Sequence, residues 1–313
     1  MDSKTQVDAA RSSVLAVPRS DLTTVEVSGE DRLSWLNGLL TCDLVKRAPG
    51  RAPYGLVVAR SGRVLSDAVV VVEGPPADDE RVVLVVPLVA VGDLLKHLQH
   101  YLVMEDATLT PEPEAYVAWT LHGPRSADAL AAAMKAGRAR GGIFDATGLG
   151  GALVLVPAAA GDGARAALEA SVAAAGGVVG DDEGWEALRL ERAVPRFRHD
   201  FDEKTYPQEA GLERTAVSFD KGCYLGQEVV CMLEMRGHVK RKLAALVVDG
   251  ALPERGAAVV DAAGAPAGEV TSSVLSPTLG KPVALAMVKR AYAEPGTHLV
   301  VSGTNAVVVD RPV

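Results

Sequence analysis

The stretch "SFDKGCYLGQEVV", residues 218–230, sets Cys223 between Gly222 and Gly226, with Lys221 two positions before it. Upstream, "AVSF" (216–219) has strand composition, and "YLGQEVVCMLEM" (224–235) places Leu225, Val229 and Met232 at helical spacing. Cys223 is therefore expected at a strand-to-helix turn, with Asp220 as the helix cap. Peptide N–H groups at a helix start and the charge of Lys221 favour a thiolate. Gly222 permits an otherwise strained backbone angle, and Gly226 allows another chain or ligand to come close. Cys223 is thus a candidate reactive thiol. The competing reading is a small buried hydrophobe, since free cysteines are among the most buried residues, and spacing alone does not separate the two. Cys42 and Cys231 lack this setting and read as structural. No C-x-x-C spacing suggests zinc, no disulfide framework is implied, and one cysteine cannot hold an iron–sulfur cluster that takes four.

Composition narrows the classes. At 313 residues the chain is long enough for two or three cores, and 48% hydrophobic with 23% charged residues is ordinary for a globular protein. The formal charge of −8 and the 4% aromatic content argue against direct nucleic-acid binding. Neither an export signal nor an apolar run of about 20 residues is evident, so a cytoplasmic protein without membrane contact is expected. One basic cluster, "RGHVKRK", gathers Arg236, His238, Lys240, Arg241 and Lys242. It reads either as a solvated strand end or as a landing site for an anionic tail.

Working outward from the cysteine, residues 1–20 are polar and unpatterned and read as a frayed arm. "DLTTVEVSG" alternates like a strand, and "EDRLSWLNGLL" puts Leu33, Leu36, Leu39 and Leu40 on a helical stripe. "YGLVVARSGRVLSDAVVVVEG" predicts a hairpin reversing at Ser61 and Gly62. A strand and an amphipathic helix follow in "RVVLVVPLVAVGDLLKHLQHYL", and a second cycle of strands and helices starts near Ala115. From Arg236 the pattern changes to short apolar strands between Gly and Pro, which reads as a small all-β barrel. The expected class is α+β: mixed sheets carrying helices, then the barrel. The expected domains are 1–114, completed by 186–235; 115–185; and 236–313.

The segment before the cysteine is long and polar, yet Leu188, Leu190, Phe197, Phe201, Leu212 and Phe219 argue for an ordered path over a core. It also carries acidic residues, Glu191 in "LRLER" and Asp200, Asp202 and Glu203 in "RHDFDE". Asp67 sits just past the hairpin turn. A carboxylate facing a cavity can grip an amino-pyrimidine edge, whereas one facing outward is merely solvated. Glu191 has the alternative of an ion pair with Arg189 or Arg192.

"KGCYLGQE" (221–228) resembles the signature of the YgfZ family of folate-binding proteins, relatives of the glycine-cleavage T-protein (aminomethyltransferase). The likeness extends through "SGEDRLSWLNGLLTCDL", "SGRVLSD", "RLERAVPRF", "DFDEKTYPQEAGLE", "GHVKRKL" and "ALAMVKRAYAEPGT", in family order from about residue 20. The resemblance implies a three-domain, T-protein-like ring whose central channel receives tetrahydrofolate, with a role in assembling or repairing iron–sulfur clusters in clients such as tRNA-modifying enzymes. It makes Cys223 the working thiol. It makes Lys221, Gly222, Tyr224, Gly226, Gln227 and Glu228 its setting, and Glu191 the residue that holds the pterin. Arg236, with Lys240, Arg241 and Lys242, is proposed to meet the folate tail.

Departures accompany the likeness. T-proteins carry an adjacent acidic pair at the hairpin, where this chain has Ser66 and Asp67. The usual Ala-Gly after the glutamate is Arg192 and Ala193, and the usual Ala-Arg after "QEVV" is Cys231 and Met232. The leading expectation is a monomeric tetrahydrofolate-binding accessory factor with iron–sulfur partners. The alternatives are a folate-dependent aminomethyl or other one-carbon transferase using Asp67, and a non-catalytic module that docks on a client.

Overall fold

The computed structural model describes all residues except 74–80 and 138. The chain begins with helix α1 (Ser3–Ser12), capped by Asp2, and strand β1 (Leu15–Pro18). The frayed arm expected for residues 1–20 is therefore an ordered, packed segment. Val7 and Ala10 fall three apart on one helix face, and Val14, Leu15, Ala16 and Val17 form an unbroken buried run. This apolar surface is too small to stand out among polar neighbours in sequence.

The next elements are β2 (Leu22–Ser28), α2 (Arg32–Asn37), β3 (Tyr54–Val58), β4 (Val64–Glu73), β5 (Arg81–Pro87), α3 (Val91–His100) and β6 (Thr108–Pro111). Their strands form one antiparallel sheet in the order β3-β4-β5-β2-β6. The predicted hairpin reverses where Gly62 takes φ +75°, a region open to glycine. Alternation along β4 then sorts its side chains. Ala68 and Val70 join Leu36, Leu94 and Leu98 beneath the helices. Val69 and Val71 face the other way, onto Ala118, Leu153 and Leu155 of a second sheet.

That second sheet contains β7 (Tyr116–His122), followed by α4 (Ser126–Lys135), β8 (Arg140–Ile143), β9 (Gly151–Pro157), α5 (Gly161–Ala174), β10 (Val178–Val179) and α6 (Asp182–Glu191). Its order is β10-β1-β7-β9-β8. Strand β1 is inserted between β7 and β10, antiparallel to the first and parallel to the second. Helices α4 and α5 cover the outer face through Ala129, Ala133, Leu168 and Val172. The two sheets thus pack face to face with helices outside.

Residues 192–226 cross the molecule with little regular structure. They are held by backbone bonds such as Val64 N–H to Thr205 O (2.9 Å) and Leu225 N–H to Gly38 O (2.9 Å). Phe197, Phe201, Leu212 and Tyr224 pack on Leu56, Val58 and Val64, so the expected ordered path is present. The strand expected at 216–219 does not form, because Ser218 makes a single crossing bond to Thr41 rather than a ladder. Helix α7 (Gln227–Met235) leads into β11 (Arg241–Val248), β12 (Ala258–Val260), β13 (Pro266–Leu275), β14 (Pro282–Lys289), β15 (His298–Val301) and β16 (Thr304–Val309). These six strands close into a barrel ordered β11-β14-β13-β12-β15-β16, leaving no free edge. Buried Arg189 ties the parts together, donating to Asp200 of the crossing segment (2.9 Å) and Ser272 of the barrel (3.0 Å). Among the described residues no helix is long and apolar enough to cross a membrane.

Candidate functional site: a cavity with a recessed acid

Where the two sheets, α6 and the crossing segment meet, they enclose a cavity of about 620 Å³, within the size range of small-molecule sites. Tyr54 and Asp67 reach it from the first sheet, Thr120 and His122 from the second, Trp185 from α6 and Arg196 from the crossing segment. Asp67 shares the parity of Val69 and Val71, so the pleat turns it inward, whereas Ser66 is fully buried on the helix side with Ala68. Position 67 is therefore the one of the hairpin pair that faces the cavity.

Asp67 is recessed, with part of its surface open to the cavity. Register pairs Tyr54 with Val69, which makes Tyr54 a diagonal neighbour of Asp67, and the tyrosine hydroxyl donates to Asp67 Oδ2 at 2.9 Å. Oδ1 is buried without a partner. Burial raises the carboxyl to about 6, although the Tyr54 bond pulls the other way. Nearby, Arg19 forms a forked pair with Asp21 (2.9 and 2.8 Å), and Arg196 also reaches Asp21 (3.0 Å). Burial, with Arg19 adding to it, pushes His122 down to about 3, so its ring is neutral. Where the lining reaches solvent it carries exposed Arg51 and Arg311. Arg311 and Arg11 act on Arg192, which burial already shifts downward.

The residues of the signature lie elsewhere. Lys221 is buried and donates to three carbonyls, of Asn37, Leu40 and Cys42, at 2.6–2.7 Å. Its ammonium is a tie for the α2–β3 connection, and burial lowers it to about 8. The expected turn at a helix start is corrected. Helix α7 begins four residues after Cys223, capped by Gly226 at φ +79°, and Asp220 makes no cap bond. Gly226 is required because a Cβ there would meet the Ala59 carbonyl at 2.4 Å. Cys223 and Gly222 are exposed, Tyr224 packs in the core beside Phe197, and Gln227 and Glu228 start α7. None of these residues lines the cavity, nor does Arg236, and Arg241 instead pairs with Glu209.

Glu191 is fully buried and also stands outside the cavity. Its carboxylate accepts from Arg11 (2.9 Å), the Ser276 hydroxyl, and the Thr278 backbone and hydroxyl (3.0 and 2.9 Å). Ion pairing with Arg189 or Arg192 is thereby replaced by a partner from α1, a segment the sequence reads as a frayed arm. The cavity residues that sequence reasoning missed are Tyr54, Arg19, His122 and Trp185. Tyr54 and His122 become visible only once strand register is known, and Arg19 lies in the segment that the sequence reads as a frayed arm.

Two helix-backed sheets packed face to face, joined to a closed barrel and holding a carboxylate in a central cavity, define a T-protein-type α+β architecture. Residues 2–141 match the GCVT N-terminal domain, and residues 241–313 match the glycine cleavage T-protein C-terminal barrel domain. The aminomethyltransferase of Chlorobium chlorochromatii is 30% identical over 95% of this chain and 85% of its own length. That of Rippkaea orientalis is 28% identical over 99% and 88%. The crystal structure of glycine cleavage system aminomethyltransferase T from Bartonella henselae superposes with a TM-score of 0.80 at 20% identity, covering 99% of this chain and 89% of that one. The chain belongs to the glycine-cleavage T-protein family.

Proposed function

We propose that the cavity binds tetrahydrofolate and that this chain is a folate-dependent one-carbon transferase of the aminomethyl type. The observation that carries the reading is Asp67, a recessed carboxyl near 6 on the cavity wall, with one oxygen fixed by Tyr54 and the other buried without a partner. A carboxyl poised near working pH can take or return a proton, and the Tyr54 bond holds it in one rotamer while Oδ1 does so. A carboxylate on the wall of a cavity of this size also fits the N–H groups of an aminopyrimidine ring. The exposed Arg51 and Arg311 suit the carboxylates of a folate tail. Tetrahydrofolate, when bound, supplies the acceptor for the one-carbon unit. The relatives named aminomethyltransferase support the same assignment. Turnover with tetrahydrofolate and an aminomethyl carrier under anaerobic conditions tests it. Product is expected, with a fall of about 100-fold or more in Asp67→Asn; no product at high enzyme concentration overturns it.

A second reading, the iron–sulfur accessory factor, is favoured by one observation. The signature loop leaves Cys223 exposed on the surface, followed by α7 with exposed Met232 and Met235. In this reading Cys223 meets a client protein while folate occupies the cavity. Complementation of cells lacking their own such factor, with client activity as readout, should then fail for Cys223→Ser. Equal rescue by wild type and variant removes the reading.

A further inference from the structure

A second cleft, of about 510 Å³, lies between residues 198–205 of the crossing segment and strands β13 and β14 of the barrel. The turn at Arg198 and His199 belongs to both walls, since these two residues also line the cavity that Asp67 faces. Four cations line the cleft from separate parts of the chain: Arg198 from the turn, Arg241 from β11, Arg255 from the lead into β12 and Lys289 from β14. The carboxylates beside them are mostly engaged. Asp200 is 3% exposed and accepts from Arg189, the Arg196 N–H and the Thr271 hydroxyl (2.9, 2.9 and 2.6 Å). Asp202 folds onto its own turn, taking the Lys204 N–H and the Thr205 hydroxyl (2.9 and 3.0 Å). That leaves exposed Glu269 in the lining.

Arg198 pairs with Glu203 and Arg241 with Glu209, whereas Arg255 and Lys289 have no carboxylate in ion-pair contact among the described residues. Arg255 donates through Nη2, to the carbonyls of Arg198 and His199 (3.1 and 3.2 Å), and Lys289 Nζ donates to the Pro266 carbonyl (2.6 Å). The Nε and Nη1 groups of Arg255 and two ammonium protons of Lys289 therefore stay open. The two carbonyl bonds of Arg255 also hold Arg198 at φ +62°, an uncommon conformation outside glycine. Burial lowers the His199 imidazole, and Arg196, Arg189 and Arg255 lower it further against Glu186, so the field at this turn is net positive.

We propose that this cleft is a second binding site, for a small polyvalent oxyanion, a phosphate ester or a polycarboxylate, held by Arg255 and Lys289 with Arg198 and Arg241 around it. A guanidinium grips either kind of oxyanion through paired N–H bonds, and a cleft concentrates the field of the cations that line it. Its size is within the range of small-molecule sites. Arg241, Arg255 and Lys289 stand outside the first cavity, so the site is independent of what that cavity binds.

Titration calorimetry of the full chain at low salt, with tripolyphosphate and citrate as probes, tests the site. The wild type is expected to bind at least one of them saturably, and the tighter of the two tells phosphate from carboxylate. Arg255→Gln and Lys289→Gln are each expected to weaken that binding by about 10-fold or more, the loss of one charge-assisted hydrogen bond. Arg51→Gln and Arg311→Gln, which lie on the first cavity, are expected to leave it unchanged. No saturable heat with either probe at millimolar concentration overturns the proposal. Loss confined to the Arg51 and Arg311 variants overturns it as well, placing the anion at the first cavity. So does equal affinity, or an equal small loss, in all four variants, which marks attraction without a site. If Arg255→Gln fails to fold, the Lys289→Gln result decides alone.

Discussion

Burial raises the Asp67 carboxyl from 3.8 to about 6, so between these values the folded chain holds a proton that the unfolded chain has released. The sign follows: stability falls as pH rises through this window, and above pH 6 the ionised, desolvated carboxylate costs about 1–3 kcal/mol. Asp67→Asn removes the charge. It is expected to raise the unfolding free energy by that amount at pH 7.5, with the gain vanishing below about pH 4. Denaturant melts at the two pH values check this, and a gain of equal size at both would show that the charge is not the cause. Ala193, in the wall of the cavity, is strained in a second way, at φ +55°, a region that favours glycine. Ala193→Gly is expected to stabilise the fold by about 1 kcal/mol, read as a higher denaturation midpoint. Strain and desolvation at one cavity are what a functional site accumulates.

At the scale of a strand, the pleat of β4 decides what its acids can do. Ser66 points into the core under α2 and α3 and is fully buried. Restoring the acidic pair with Ser66→Asp therefore places an unpaired carboxylate among Ala68, Val70 and Leu84. The expected result is a loss of about 3 kcal/mol or more in stability and no gain in transfer activity. A rise in turnover with stability intact would contradict the orientation. This orientation is not legible in sequence, because both faces of β4 are apolar and Asp67 reads equally as cavity-facing or outward, whereas the hairpin at Gly62 and the barrel are legible, because each rests on a local period or turn. The position of Cys223 was less legible. Its flanking residues read as a strand and a helix start, yet Lys221 folds inward to three carbonyls and α7 begins later. Long-range backbone bonds set that loop, and no local pattern reports them. Tyr54 and His122 were hidden for the same reason, since they reach the cavity through register and sheet packing.

For the molecule as a whole, the N-terminal helix, α6 and the barrel converge on Glu191. It closes α6, draws Arg11 from α1, and takes Ser276 and Thr278 from the β13–β14 connection. Buried Arg189, two residues earlier, repeats the link through Asp200 and Ser272. A carboxylate so fully bonded has no acceptor capacity left for a ligand, and it lies outside the cavity. Resemblance assigns Glu191 to the pterin, whereas its contacts make it a clamp between units, and the two roles separate on measurement. Glu191→Ala leaves a guanidinium and two hydroxyls without their acceptor, an expected loss of about 3–5 kcal/mol. For a chain of this size that lowers the melting temperature by about 5–8 °C and splits unfolding as the barrel uncouples. At a temperature where the variant is folded, its tetrahydrofolate affinity is expected to stay within about threefold of wild type, less than the loss of one neutral hydrogen bond at its upper range. A loss of about 30-fold or more with the melting temperature unchanged would instead return Glu191 to the ligand and require the cavity to extend to it.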